Sequence, residues 1–269
     1  MLKRAPMRVR VHWRMVLRAK GCGDMNPVTE IGAVIIGDEL LSGKRQDRHQ
    51  EHLTRSLSEH GLELAWIRIV GDSAELLTQT FRETLQRPAW VFSFGGIGAT
   101  PDDRTRACLA RALGVELERH PEFVSILERK FGPDAYPNRV RMAELPLGST
   151  LIPNPVNEIP GFVCARHACV PGFPVMAEPM ARWVLEHHLP RVDPSVVSVE
   201  RSMQLFGTPE SSLVPILEAL EAEFPDMRFS SLPGMYEGRS RVELGVRGLP
   251  DRVPVAFFRL QELLQAAGF

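Results

Sequence analysis

Between Ala89 and Thr105 the chain runs Ala-Trp-Val-Phe-Ser-Phe, then Gly95-Gly96-Ile97-Gly98-Ala99-Thr100-Pro101, then Asp102-Asp103-Arg104-Thr105. An unbroken apolar run, three glycines in four residues and an acidic opening to a helical pattern predict a buried strand, a tight turn and a helix start. Glycines let the backbone approach a bound group and turn successive N–H groups toward it, and a helix N-terminus adds positive potential for a phosphate. Asp102 and Asp103 stand at the same place, where two carboxylates repel a phosphate unless a cation or protonation intervenes. The stretch therefore predicts a phosphate site that also takes a divalent metal. The plainer alternative is that one Asp caps its helix, which accounts for one carboxylate and leaves the glycines unexplained.

Upstream, Ile31 to Ile36 is a short apolar strand followed by Gly37-Asp38-Glu39-Leu40-Leu41-Ser42-Gly43. Gly43-Lys44 invites a nucleotide-triphosphatase P-loop. Five residues instead of four lie between Gly37 and Gly43, however, and Arg45 stands where Ser or Thr would bind magnesium. Gln46 to His60 predicts an exposed helix with Leu53 and Leu57 on one face. His49 and His52 share a face and read as polar decoration more readily than as metal ligands. Leu62 to Val70 is the next strand, ending in Gly71-Asp72-Ser73, and Ser73 or Asp72 caps a helix from Ala74 to Gln86 with Leu77, Phe81 and Leu85 inward.

Strand, helix, strand, helix, strand and glycine loop describe a mostly parallel sheet wound with right-handed crossovers and helices on both faces, an α/β fold. Ligands of such sheets bind outside the carboxyl ends of the strands. Here those ends carry Asp38/Glu39, Asp72 and Asp102/Asp103. The expected roles are Asp72, Asp102 and Asp103 as catalytic groups, and Asp38, Asp72 and Asp103 as metal ligands. Gly37, Asp38, Glu39, Gly95, Gly96, Gly98, Thr100 and Thr105 are expected to line the ligand. A nicotinamide-type dinucleotide fold is excluded, because the loop lacks the third glycine and the acid about 20 residues later.

Beyond the loop, the pattern predicts helices from Asp103 to Leu113, Pro121 to Phe131 and Asn138 to Leu145. The last carries Arg139 and Arg141, which either reach a ligand phosphate or stay solvated. Leu151 to Val156 and Pro160 to Val163 read as proline-broken edge segments. Cys164 and Cys169 flank a hairpin turn at Arg166-His167 whose spacing fits no common zinc site. Pro171-Gly172-Phe173-Pro174 leads into a helix up to His188, with a kink or late start at Pro179. Pro171 and Gly172 either close the other side of the pocket or form a plain loop. After Pro190 to Pro194 the organisation changes: strand Val196 to Phe206, helix Glu210 to Phe224, strands Met227 to Leu232 and Arg241 to Val246, and helix Val253 to Ala267. That βαββα order is a small α+β module.

The chain has 269 residues, 44% of them hydrophobic, ample for a packed core. Its net charge of −1 hides an asymmetry: residues 1 to 24 hold seven basic residues and one acid, while residues 25 to 269 hold 25 basic against 32 acidic. An acidic body disfavours nucleic acid as a partner. No apolar run reaches the length of a membrane span, and the four cysteines, Cys22, Cys108, Cys164 and Cys169, suit a reducing cytoplasm. The expected organisation is a basic leader over 1–24, disordered or preceding a true start at Met25, a ligand-binding domain over 25–190 and the small module over 195–269.

The set Ile35-Ile36-Gly37-Asp38-Glu39-Leu40-Leu41-Ser42-Gly43, Val70-Gly71-Asp72, Gly95 to Asp103, Leu151 to Val156, Pro160-Gly161-Phe162 and Pro171-Gly172-Phe173-Pro174 resembles the competence/damage-inducible (CinA-like) family. That family's amino-terminal domain is of the MoaB/Mog molybdopterin-binding type and its middle domain is KH-like. The resemblance implies a pocket for a pterin phosphate or nucleotide diphosphate, with molybdopterin as a candidate ligand. It also implies hydrolysis of ADP-ribose-like pyrophosphates dependent on magnesium, manganese or cobalt. The rival expectation is a non-catalytic or adenylyl-transfer-type molybdopterin binder. The carboxyl-terminal nicotinamide-mononucleotide deamidase domain of full-length relatives is expected to be absent. The module after residue 195 has no Gly-x-x-Gly clamp, so RNA binding is not expected. The other partner expected is a second copy of the chain, in a homo-oligomer. Three departures from the family pattern stand out: Ala99 for proline, Arg104 for an apolar residue, and Asp47-Arg48-His49 for Asp-Thr-Asn. The serine and glutamate usual after the Pro-Gly-x-Pro turn are also missing.

Overall fold

The computed structural model describes residues 11–14, 30–189 and 197–269, and these divide into two compact units. The strand β1 (Val11–Arg14) belongs with residues 197–269. Residues 30–189 make the other unit. In chain order this unit contains β2 (Glu30–Ile36), α1 (Asp38–Leu41), α2 (His49–Glu59), β3 (Trp66–Val70), α3 (Ala74–Leu85), β4 (Ala89–Phe94), α4 (Thr105–Leu113), β5 (Leu117–Arg119) and α5 (Pro121–Phe131). After 3-10 turns at Gly132–Ala135 and Arg139–Ala143 come β6 (Glu144–Pro146), β7 (Thr150–Ile152), β8 (Gly161–Cys164), β9 (His167–Val170) and α6 (Pro174–His188).

Six strands make one sheet in the order β3-β2-β4-β9-β8-β7. The first four are parallel, and β8 runs against both of its neighbours. From β2 the chain moves outward to β3 and then back past β2 to β4. Right-handed crossovers in opposite directions put the connecting helices on opposite faces. Accordingly α2 packs with α6, and α3 with α4. Covered on both sides, β2 is buried at every position from Ile31 to Ile36, which is why it reads as a continuous apolar run. The reversal leaves a crevice between the carboxyl ends of β2 and β4, where such sheets take ligands.

Several boundaries differ from the sequence reading. Strand pairing of the second strand starts at Trp66, not Leu62. Ser73 caps α3, its hydroxyl accepting the Leu76 N–H at 3.4 Å. Pro160 to Val163 is not edge structure: Gly161–Cys164 lies between β9 and β7, with β7 at the edge. The hairpin turn between Cys164 and Cys169 is present, made by Ala165 and Arg166 with φ of 46° and 62°. Helix α6 begins at Pro174 and takes Pro179 in its interior, so the late start is not seen. Arg139 is exposed, and its guanidinium donates one N–H to the Asp134 carbonyl at 2.6 Å and lies over the Phe131 ring. Arg141 is exposed.

The second unit follows the βαββα order as β10 (Val199–Phe206), a 3-10 turn at Glu210–Leu213, α7 (Val214–Glu223), β11 (Arg228–Tyr236), β12 (Arg239–Gly248) and α8 (Val253–Ala266). Its core gathers Leu205, Leu220, Leu244, Val246, Phe257 and Leu260. The sheet has a fourth strand that the sequence reading does not contain. β1 pairs antiparallel with β10, from Val11 opposite Met203 to Arg14 opposite Glu200, giving the order β1-β10-β12-β11. This corrects the leader: residues 11–14 are part of the module's sheet. The remaining residues of the leader, Met25 and the Pro190 to Pro194 boundary lie outside the described residues. Among the described residues no helix is long and apolar enough to cross a membrane.

Candidate functional site

At the carboxyl end of β4 the chain turns through Gly95 to Asp103 before α4 begins at Thr105. Three loop carbonyls are pinned from below by the first turn of that helix. The Thr105 hydroxyl donates to the Gly95 carbonyl at 2.8 Å, the Thr105 N–H donates to Gly96 at 3.0 Å, and the Arg106 guanidinium donates to Gly98 at 2.5 Å. In a planar trans peptide the N–H points opposite to its carbonyl. Pinning these carbonyls inward therefore turns the Gly96, Ile97 and Ala99 N–H groups outward. Among the described residues no acceptor is found for the N–H of Gly96, Ile97, Gly98 or Ala99. Four successive donors on partly exposed residues are thus left with nothing to bond among the described residues, and successive free backbone N–H groups are what anion-binding nests are built from.

The loop leaves little room for a side chain where it folds on itself. Gly96 has φ 68°, and a Cβ there would collide with the Thr105 hydroxyl. A Cβ on Gly98 would come to 2.5 Å from Asp103 Oδ2. The left-handed backbone calls for glycine at Gly96, while a Cβ at Gly98 would push aside the Asp103 carboxylate that holds Thr100.

Asp103 neither caps α4 nor sits with the other acids. The residue before the helix is Arg104, without a side-chain cap, and Asp103 Oδ2 accepts the Thr100 N–H at 2.9 Å and the Thr100 hydroxyl at 2.5 Å. Thr100 thus spends both of its donors inside the loop. Thr105 is fully buried, and Gly95 gives its N–H to the Val170 carbonyl at 3.0 Å. Gly37 gives its own to Val70 at 3.0 Å. These four residues shape the crevice and do not offer donors to it. Glu39 is half-exposed and reaches Arg45 at 3.9 Å.

Asp38 and Asp72 are brought together across β2 and β3. Asp38 N–H donates to Asp72 Oδ2 at 3.0 Å, and Asp72 N–H donates to Asp38 Oδ1 at 3.1 Å. Partial burial, with the charges of Asp38, Glu39 and Asp102, pushes the Asp72 carboxyl above its ordinary range, against the pull of the Asp38 N–H. Each residue keeps one carboxylate oxygen outside that reciprocal pair. No group of three or more His, Cys, Asp or Glu side chains stands ready to hold one metal ion among the described residues. The three-acid metal site expected at Asp38, Asp72 and Asp103 is therefore not assembled as a cage. Arg104 reaches across to the same strand end, donating to the Asp72 carbonyl at 3.3 Å.

On the other side of the crevice, Gly172 lies against Gly95, so that a Cβ on Gly172 would touch the Gly95 Cα at 3.4 Å. The Gly172 and Phe173 N–H groups also lack an acceptor among the described residues. The Pro171-Gly172 turn thus lies against the start of the glycine loop. His49 ties the walls together. It is buried, stacks on Phe94 at 4.5 Å between ring centroids, and places Nε2 3.3 Å from the Gly172 carbonyl. Burial lowers its pKa, against the raising effects of Asp47 and the Gly172 carbonyl. The exposed-decoration reading of His49 is thus corrected. Its spacing with Leu53, Ser56 and Leu57, all buried, carried the signal. Arg106 escaped notice in the same way, though Leu109 and Ala110 place it on a buried stripe. A recess of about 470 Å³ between Pro153–Pro155 and Glu178–Glu186 lies apart from these donors.

A parallel sheet with a glycine turn and acids at its switch point defines the class, a molybdopterin-binding domain of the MoaB/Mog type. Residues 32–191 match the family described as "Probable molybdopterin binding domain", and the chain belongs to that family. It is similar to a CinA-like protein of Anaeromyxobacter dehalogenans, 36% identical over 190 residues covering 68% of this chain and 46% of that one. The chain thus spans less than half the length of this relative. A protein of Pyrobaculum arsenaticum is 31% identical over 211 residues, 76% of this chain and 80% of that one. Among solved structures, the protein CinA of Thermoplasma acidophilum superposes with a TM-score of 0.55 at 26% identity, covering 60% of this chain and 99% of that one.

Proposed function

We propose that the crevice binds the phosphates of a nucleotide pyrophosphate and that the chain hydrolyses ADP-ribose-like substrates with a divalent metal. The observation that carries this reading is the run of unclaimed N–H donors from Gly96 to Ala99, in the loop whose Gly95 lies against Gly172, together with the Asp38–Asp72 pair at the neighbouring strand ends. Those donors would orient the phosphates and stabilise charge that develops on their oxygens. Asp38 and Asp72, through their remaining oxygens, would hold the metal. Magnesium usually takes only one or two carboxylates and completes its shell with phosphate oxygens and water, so a cage of three acids is not required. A bound metal would polarise the phosphoryl oxygens and lower the pKa of a water. Asp103 serves by holding the loop at Thr100.

The family match favours a second reading, a molybdopterin binder that is non-catalytic or transfers an adenylyl group. Purified chain incubated with ADP-ribose and magnesium, manganese or cobalt decides between them. Release of AMP and ribose 5-phosphate supports the hydrolase. No release with any metal, together with a raised melting temperature on adding molybdopterin, leaves the binder.

A further inference from the structure

Arg106 is buried to 8% exposure, and among the described residues no carboxylate bonds to its guanidinium. Its donors go to three carbonyls from three segments: Gly98 at 2.5 Å in the glycine loop, Arg141 in the second 3-10 turn, and Glu144 at 3.4 Å at the start of β6. Its Nε is buried without a partner. A buried guanidinium that leaves a donor unused is costly to hold for packing alone, and an apolar side chain would fill the same stripe. Burial lowers the pKa of this guanidinium, against the pull of the nearby Asp103 and Glu144 carboxylates, yet arginine stays protonated in proteins, so a positive charge sits under the loop.

We infer that Arg106 is a positioning residue of the anion site: it aims the Ala99 N–H by gripping the Gly98 carbonyl and adds positive potential beneath the bound phosphate. The inference rests on reading the crevice as a phosphate site. The grip acts through one peptide plane. Because the Gly98–Ala99 peptide is trans, the carbonyl held by Arg106 fixes the Ala99 N–H on the opposite side. Thr105 does the same for Gly96 and Ile97, but as a neutral group. Arg106 alone brings charge and ties the loop to the 139–146 segment.

The probe is inorganic pyrophosphate, measured by calorimetry and by its effect on backbone amide resonances in the full chain. With wild type, pyrophosphate should shift the Ile97, Ala99 and Phe173 amides. Arg106→Met should weaken binding about tenfold or more, the loss of one charge-assisted hydrogen bond. The shift at Ala99 should vanish while that at Phe173 persists. Arg106→Lys keeps the charge without the fork and should fall between the two. Wild-type affinity in Arg106→Met overturns the inference, as does loss of both shifts together, which would mark a merely structural residue. If Arg106→Met does not fold, Arg106→Lys decides: affinity and Ala99 shift equal to wild type overturn the inference. Wild type that binds neither pyrophosphate nor ADP-ribose removes this inference and the proposed function together. Wild-type binding matched by the variants removes this inference alone.

Discussion

Asp72 and Asp103 look interchangeable in the sequence, yet their surroundings assign them different work. Asp103 is bonded to Thr100 and holds the loop there, so Asp103→Asn, which weakens that grip, should lower stability by about 1 kcal/mol. Asp72 is crowded by Asp38, Glu39 and Asp102, so Asp72→Asn relieves repulsion and should melt at or above wild type while losing metal-dependent turnover. Thermal melts beside the ADP-ribose assay check the pair, and equal melting temperatures for the two variants would contradict the assignment. His167 gives a prediction on pH. It is buried, accepts the Thr84 hydroxyl at 2.8 Å through Nε2 and donates from Nδ1 to the Ala165 carbonyl at 3.0 Å. Burial lowers its pKa to about 4. The unfolded chain takes up a proton near the ordinary value of 6.5 that the folded chain refuses until about 4. Stability is therefore full above 6.5 and falls as pH drops toward 4, by about 2 kcal/mol between pH 7 and pH 5 for this residue alone. Denaturant midpoints of wild type and His167→Gln at those two pH values test it, since the variant should lose that part of the slope.

At the scale of elements, α4 does for the loop what a separate cap would do elsewhere. Its N-terminal residue has no capping side chain, and its first turn is turned inward to hold carbonyls. Thr105→Val keeps the shape and leaves the buried Gly95 carbonyl without its hydroxyl donor, a cost of about 1–3 kcal/mol. Thr105→Ser keeps the donor and should lose less than half as much. Chemical denaturation of both variants, with pyrophosphate binding measured alongside, gives the comparison. A Thr105→Val protein as stable as Thr105→Ser would mean the hydroxyl does not hold the loop.

The whole molecule is two units, each with its own core, and a strand of the leader belongs to the second. Removing residues 1–24 therefore takes β1 from the edge of β10 and leaves that edge unpaired, a state prone to association. The truncated chain should bind phosphate ligands as the full chain does, because the glycine loop and the acids lie in the other unit. It should show earlier melting of the carboxyl-terminal unit and greater self-association, read by calorimetry and light scattering. An unchanged melting profile would mean that β1 adds nothing to the sheet.

The winding of the first unit is legible in the chain, because buried parallel strands must be apolar throughout and glycines favour a turn that folds closely on itself. Ile31 to Ile36, Ala89 to Phe94 and Gly95 to Gly98 could be placed on that ground. The acids at three strand ends are legible there too. What each acid bonds to depends on packing: Asp38 and Asp72 lock to each other's backbone, while Asp103 turns back to Thr100. Residues distant in sequence meet there by strand order, which a local pattern does not encode. The same reason hid His49 against Phe94 and Gly172, Arg106 under Gly98, and Val11–Arg14 beside β10. Each pairs with a partner from another element, and only the packed sheet brings the two within reach.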